Sequence, residues 1–254
     1  MNKREYGLSF ISDDDFYNHT KATVEKYRSQ IEIDLKKFNK NLIDPVKLTF
    51  DSKVYGKDIQ SVVKSEIIRQ IDKSNTNHIG YFHQNIFHYI GVDWRVPSKG
   101  YDVENLADHK YVEMKNKHNT MNSSSSQKTY MRMQHTLLSN PSAECMLVEV
   151  IAKKSQNIAW SMRLDGNPVV DNRIKRVSID KFYELVTGEK DAFKNLCEQL
   201  PIVIADIVND TNLDAKSNAS NTVFSELKRL SPNLLKSLYL LSFEKYEGFD
   251  DFNA

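Results

Sequence analysis

Phe16, Thr20, Val24 and Tyr27 lie one helical turn apart, and Ile31, Ile33, Leu35, Phe38 and Leu42 follow, so the first fifty residues are predicted to be helical. Asp44-Pro45 breaks that pattern, and Leu48 to Val54 reads as a short strand or loop. Ile59 to Ile71 is helical again, Lys73 to Asn77 is polar, and Ile79, Phe82, Ile86, Phe87 and Ile90 predict a further amphipathic helix ending at Gly91. From Trp94 the period drops to two. Tyr101 to Leu106 and Lys110 to Asn116, joined by Ala107-Asp108-His109, predict a hairpin.

Ser123 to Ser126 supplies residues suited to a helix start, and Tyr130, Met133, Leu137 and Leu138 continue at helical spacing. Glu144 to Ala152 is a nearly unbroken apolar run, which suits a strand covered on both faces. Ile158 to Leu164 reads as one more strand. Ser178 is the predicted cap of a helix from Ile179 to Val186 stopped by Gly188, and a further helix from Asp191 is interrupted or restarted by Pro201. Asn209 to Asn221 is a polar linker, and Val223 to Leu241 a final amphipathic helix. Helices around a central mixed sheet make the fold class α/β (α+β). The expected division is an N-terminal helical segment 1–55 packed on the core, a core 56–208, and a linker with a C-terminal helix 209–254.

Composition narrows the function classes. The 254 residues are 40 % hydrophobic and 27 % charged, with 8 Gly and 6 Pro, which is a globular balance rather than a disordered or fibrous one. Two cysteines, Cys145 and Cys197, lie within apolar stretches, so buried free thiols in a reducing compartment are expected. No run approaches the roughly 18 apolar residues of a membrane span and no signal-peptide pattern opens the chain, so a cytoplasmic protein with no membrane partner is expected. The formal charge of +1 is silent about nucleic acid, but His109 to His135 holds five Lys/Arg against one acid. A polyanion would meet the middle of the chain.

That middle also carries the candidate chemistry. In a hairpin, Glu113 and Lys115 share one face while Val112 and Met114 take the other, and Asp102 on the neighbouring strand stands close to Glu113. Two carboxylates held together without a salt-bridge partner repel, and a hard divalent cation with oxygen ligands such as Mg²⁺ relieves the repulsion. A lysine beside such an ion can orient water or stabilise charge during phosphodiester cleavage. An acid two places before a lysine also occurs at Asp34, Asp51, Asp108, Asp214 and Glu226, but only Glu113 lies mid-strand behind a Gly-x-Asp strand. The bland alternative is a solvated hairpin with a surface ion pair. His78, His83 and His88 recur every five residues, about 140° apart on a helix, so they do not converge on zinc.

The segment Gly100 to Lys115 resembles the PD-(D/E)XK nuclease motif. The tract from Val112 through Ser126, with Val177 to Gly188 and Leu200-Pro201, is similar to a group of small type II restriction endonucleases that cut GGNCC. The resemblance covers His78 to Asp206 and implies a restriction-endonuclease-like core. It further implies that Asp102 and Glu113 bind Mg²⁺, one or two ions per subunit, helped by the Met114 carbonyl, with Lys115 serving the attacking water. Two positions depart from the pattern: Tyr101 stands where the family carries proline, and Gln84 stands where many relatives carry a helix glutamate. Gln84 would offer a neutral oxygen, and Glu66 is a remoter candidate.

The polar tract after the lysine is the expected DNA-facing surface. Lys117, Asn119, Asn122, Ser124, Ser125, Gln127, Lys128 and Arg132 are candidates for phosphate or base contacts, each weighed against a merely capped, solvated helix start. Arg173, Lys175 and Arg176 are a weaker basic cluster. The expectation is a Mg²⁺-dependent endonuclease cutting double-stranded DNA at a short palindrome and leaving 5′-phosphates. A homodimer matches a two-fold target, and a companion DNA methyltransferase would protect host sites. The alternatives are a structure-specific or repair nuclease on the same core, and a DNA-binding module with a vestigial metal site.

Overall fold

A computed structural model describes residues 4–29, 45–164, 166–211, 231–232, 240, 243 and 245–249. They fall into two compact units, Thr20–Phe82 and Met1–His19 with His83–Ala254. The helices are α1 (Asp13–Ser29), α2 (Pro45–Val54), α3 (Ile59–Asn85), α4 (Ser123–Ser139), α5 (Ile179–Thr187) and α6 (Ala192–Asp210), with a short 3₁₀ turn at Ile86–His88. The strands are β1 (Trp94–Arg95), β2 (Val103–Asn105), β3 (Lys110–Lys117), β4 (Glu144–Ile151), β5 (Asn157–Ala159), β6 (Met162–Leu164), β7 (Asn167–Val169) and β8 (Ile174–Ser178).

Six strands form one sheet in the order β1-β2-β3-β4-β8-β5, and β6-β7 form a separate ribbon. The β1/β2, β2/β3 and β5/β8 pairs are antiparallel, whereas β3/β4 and β4/β8 are parallel. This is the expected mixed sheet flanked by helices. Strand β4 lies between two parallel neighbours, and Cys145 through Val150 are all buried, which is why its apolar run barely alternates. Helix α4 lays Tyr130, Met133 and Leu137 against Cys145, Leu147, Trp160 and Ile174. Helix α5 packs on β4 and β8, and its Phe182 and Tyr183 meet Phe87 at ring-centre distances of 4.8 and 5.2 Å. The segment before His19 is tied to α6 by Tyr6 Oη on Asp206 at 3.0 Å and Tyr17 Oη on Asp210 at 2.8 Å.

The hairpin, α4, β4 and α5 stand where the periodicity predicts them. Four local expectations do not. Leu48 to Val54 is helical rather than strand or loop: Pro45 opens α2, a position where its missing N–H costs nothing, and Leu48 is buried. The polar tract Lys73 to Asn77 does not interrupt α3, because polar side chains on a long helix supply a wet face without breaking its hydrogen bonds. Pro201 sits inside a continuous α6, where Leu196, Cys197, Val203 and Ile207 are buried on either side and outweigh one lost backbone bond. The expected strand Ile158 to Leu164 is two: Trp160 turns into the core, donates its N–H to Ile174 O at 2.8 Å and meets Tyr130 edge-on at 5.3 Å, so β5 and β6 join different sheets.

Ser178 holds the N-cap position of α5, but its hydroxyl makes no cap bond and engages Gln156 instead. Gly188 ends the helix in the left-handed region at φ 77°, its N–H bonded to Glu184 O. Cys145 and Cys197 are both buried and free. No helix among the described residues is long and apolar enough to cross a membrane. The predicted elements at Ile31 to Leu42 lie outside the described residues, as do most of the linker 209–221 and of the helix Val223 to Leu241.

Candidate active site

The β2/β3 register pairs Val103 with Val112, which sets Asp102, one residue before β2, beside Glu113. Two bonds stitch Asp102 to β3. Its own N–H donates to Val112 O at 2.9 Å, and Met114 N–H donates to its Oδ2 at 2.7 Å. On β3 the buried Val112 and Met114 alternate with half-buried Glu113 and Lys115, as a pleated strand with one covered face requires. The parallel register places Lys115 beside Glu149 and Glu113 beside Leu147, so Glu113 and Lys115 lie on the α4 side of the sheet. Asp102, Glu113 and Lys115 are therefore gathered at one place.

Glu113 is held at both oxygens. Lys115 Nζ meets Oε1 at 2.6 Å, and a guanidinium nitrogen of Arg132, reaching down from α4, meets Oε2. Arg132 stacks over the Tyr101 ring, 4.4 Å from its centre, and also donates to Gly100 O at 3.4 Å. Tyr101 is fixed from behind by its hydroxyl on Thr136 Oγ1 at 2.8 Å. Burial pushes the Asp102 carboxyl above the usual carboxylate range; the Met114 N–H opposes this, the Glu113 charge adds to it, and Lys115 and Arg132 oppose it. Gln84 donates its amide nitrogen to Asp102 O at 3.2 Å, so the amide steadies the backbone at Asp102. Glu66 belongs to the other unit and is gripped by Arg69 and Gln70 on its own helix.

The polar tract leads away from this centre. Lys117 is exposed at the end of β3. Asn119 adopts a left-handed backbone at φ 55° and accepts from Arg176 at 3.2 Å. Asn122 is the N-cap of α4, its Oδ1 accepting from Ser125 N–H at 2.8 Å. Ser124, Ser125 and Lys128 are exposed on the first turns of that helix, while Gln127 donates to Arg163 O at 3.2 Å. Lys115, Lys117, Asn119, Ser126, Glu149 and Arg176 contribute to the lining of a cleft of about 170 Å³.

Glu149, in that lining, escaped the sequence reading. It is the second charge in an otherwise apolar strand, its side chain is 2 % exposed, and Arg176 grips both its oxygens while His118 Nδ1 lies 3.0 Å from Oε2. An acid in the middle of the apolar run, away from its polar start at Glu144, was the available signal. Arg173 pairs with Asp171 and Lys175 with Glu144, so all three cations of that basic cluster have acidic partners.

Among the described residues no group of three or more His, Cys, Asp or Glu side chains is placed to hold a metal. The oxygen donors brought together at the hairpin are the carboxylates of Asp102 and Glu113, both hard. Such a set suits Mg²⁺, which keeps several waters and needs only one or two carboxylates. The expectation that the two acids lack a salt-bridge partner does not hold, because Glu113 is paired with Lys115 and with Arg132, a cation that only the fold brings to it.

Comparison with known proteins gives concordant findings. A model of the Eco47II restriction endonuclease family matches residues 8–209. The type II restriction enzyme Sau96I of Staphylococcus aureus is 35 % identical over 231 residues, 87 % of this chain and 87 % of its own length. The type II restriction enzyme Eco47II of Escherichia coli is 28 % identical over 214 residues, covering 80 % of this chain and 89 % of its own. No solved structure gives a significant match.

Proposed function

Since the chain belongs to the Eco47II restriction endonuclease family, we propose that it is a Mg²⁺-dependent type II enzyme that cuts double-stranded DNA within a short palindrome, GGNCC, and leaves 5′-phosphate ends. The observation that carries this reading is the gathering of Asp102, Glu113 and Lys115, with Asp102 stitched to Met114 N–H at 2.7 Å and Lys115 Nζ 2.6 Å from Glu113. The likeness to restriction enzymes over most of the chain supports the substrate class.

Asp102 and Glu113, with the Met114 carbonyl, would hold the ion. Bound there, Mg²⁺ supplies electrophilic assistance to the phosphodiester and lowers the pKa of a coordinated water. Lys115 orients the attacking water and stabilises charge developing on the phosphate. Met114 N–H fixes the rotamer of Asp102, and Gln84 fixes the backbone behind it, so the acid is held ready before DNA arrives. Lys117, Lys128 and Arg132, with the exposed start of α4, face phosphates; Asn119, Asn122, Ser124, Ser125 and Gln127 are the candidates for fixing register or reading base edges. A homodimer acting on a two-fold site, with a companion methyltransferase protecting host DNA, completes the proposal.

The test is digestion of a sequenced plasmid and phage DNA with Mg²⁺, with and without EDTA, followed by end sequencing. Discrete fragments with 5′-phosphates at one palindrome are expected. Smears or junction-only cleavage would favour a structure-specific nuclease, and salt-dependent binding with no cleavage in Mg²⁺ or Mn²⁺ a vestigial site.

A further inference from the structure

Four charged groups stand at the hairpin, two acids (Asp102, Glu113) and two bases (Lys115, Arg132), and their formal charges cancel. Glu113 has no oxygen left over: Lys115 occupies Oε1 and Arg132 occupies Oε2. A divalent cation arriving alone must displace a base or leave the site with excess positive charge. Lys115 springs from the same face of the same strand, two residues from Glu113, so its ammonium group stays beside the acids even when the ion pair opens. Arg132 can leave. It hangs from another element, its side chain is 41 % exposed, and its guanidinium rests on the flat face of Tyr101 rather than in a closed socket. Glu113 and Gly100 O engage two of its donors, and a guanidinium has five.

We infer that Arg132 is a transferable positioning residue: in the free protein it occupies Oε2 of Glu113, and when DNA arrives it passes to a backbone phosphate, leaving that oxygen open to an ion. Tyr101, at the position where the family motif has proline, is the platform on which the guanidinium turns. The inference rests on the proposed metal role of Asp102 and Glu113 and adds a consequence to it. Metal and DNA binding are coupled through one side chain, each tightening the other. The free enzyme therefore holds the ion poorly, and DNA recruits it.

The experiment measures Mn²⁺ binding to the full-length protein without DNA, by the loss of the free-ion electron paramagnetic resonance signal. The proteins are wild type, Arg132→Ala, Arg132→Met, Lys117→Ala and the double variant Asp102→Asn with Arg132→Ala. Thermal melts confirm that each folds. Removing Arg132 should tighten Mn²⁺ binding roughly two- to five-fold, the range expected for freeing a partly exposed ion pair. Lys117→Ala removes an exposed charge from the same strand that does not pair with Glu113, and should change binding clearly less. Asp102→Asn should erase the gain. Single-turnover cleavage of a duplex at saturating Mg²⁺ should nevertheless slow in both Arg132 variants, because the phosphate has lost its guanidinium. Tighter metal with slower cleavage is a combination that a merely structural arginine does not produce.

If the Arg132 variants bind Mn²⁺ as wild type or as Lys117→Ala does, the transfer is refuted, while the metal site stands provided the double variant binds more weakly than Arg132→Ala. If they bind tighter and also cleave faster, Arg132 only obstructs the site and the passage to phosphate is refuted. If Asp102→Asn leaves the gain intact, the ion is held elsewhere and the metal-site reading falls as well.

Discussion

Replacing Arg176 by Met keeps the aliphatic stem and removes the guanidinium that neutralises Glu149. The carboxylate is 2 % exposed and accepts from Arg176 Nε at 3.0 Å and from a second Arg176 nitrogen on its other oxygen, while His118 Nδ1 lies 3.0 Å from it and 2.9 Å from the guanidinium. Deleting one partner of a buried pair costs about 3–5 kcal/mol, since the other charge is stranded. Two features reduce that figure here: the Arg176 side chain is 21 % exposed, so water reaches the vacated space, and with the guanidinium gone His118 Nδ1, 3.0 Å away, is left to donate to Glu149. About 2–3 kcal/mol is the resulting expectation. Glu149→Met with Arg176→Met removes both charges and should lie within about 1 kcal/mol of wild type, as apolar replacement of buried pairs does elsewhere. Both tryptophans, Trp94 and Trp160, lie in the unit that contains this pair, so urea unfolding followed by tryptophan fluorescence reads that unit alone. An Arg176→Met protein losing less than about 0.5 kcal/mol would overturn this estimate, and so would a double variant as unstable as Arg176→Met; adding Glu149→Met alone closes the cycle and gives the pairing energy.

Two other outcomes follow from the same structure. Asn122→Ala removes the side-chain acceptor for Ser125 N–H, so unfolding free energy should drop by about 1 kcal/mol in urea titrations, whereas the exposed, non-capping Ser124→Ala should change it little. Burial drives the His83 imidazole from its ordinary value of 6.5 down to about 4, with the His19 charge adding to the effect. The unfolded chain therefore takes up a proton below pH 6.5 that the folded chain refuses. Stability from this group is full above that value and falls away towards pH 4, by up to roughly 3 kcal/mol, so His83→Leu should flatten the measured decline in that window.

Much of the site's framework is legible in the chain because it is local. The hairpin follows from period-two alternation across Tyr101 to Asn116, and the alternation alone places Glu113 with Lys115 and away from Met114. The start of α4 is written in a run of capping residues, although Asn122 rather than a serine makes the cap bond. What escaped is what depends on distant partners. Glu149 meets Arg176 across 27 residues and Glu113 meets Arg132 across 19, and no periodicity announces either pairing. Trp160 splits one predicted strand into two because tertiary burial, not local propensity, decides where the chain turns. Pro201 and the Lys73 to Asn77 tract misled for a related reason. A breaker or a polar run ends a helix only when packing on both sides does not sustain it.

The central claim is that Asp102, Glu113 and Lys115 act on DNA as one catalytic centre, and Lys115→Ala tests it most directly. The assay is single-turnover cleavage of a GGNCC duplex in Mg²⁺, with binding to the same duplex measured separately in Ca²⁺. Cleavage reduced about 10²- to 10³-fold with affinity in Ca²⁺ within a few-fold of wild type is the predicted result. Cleavage retained at near wild-type rate would contradict the account.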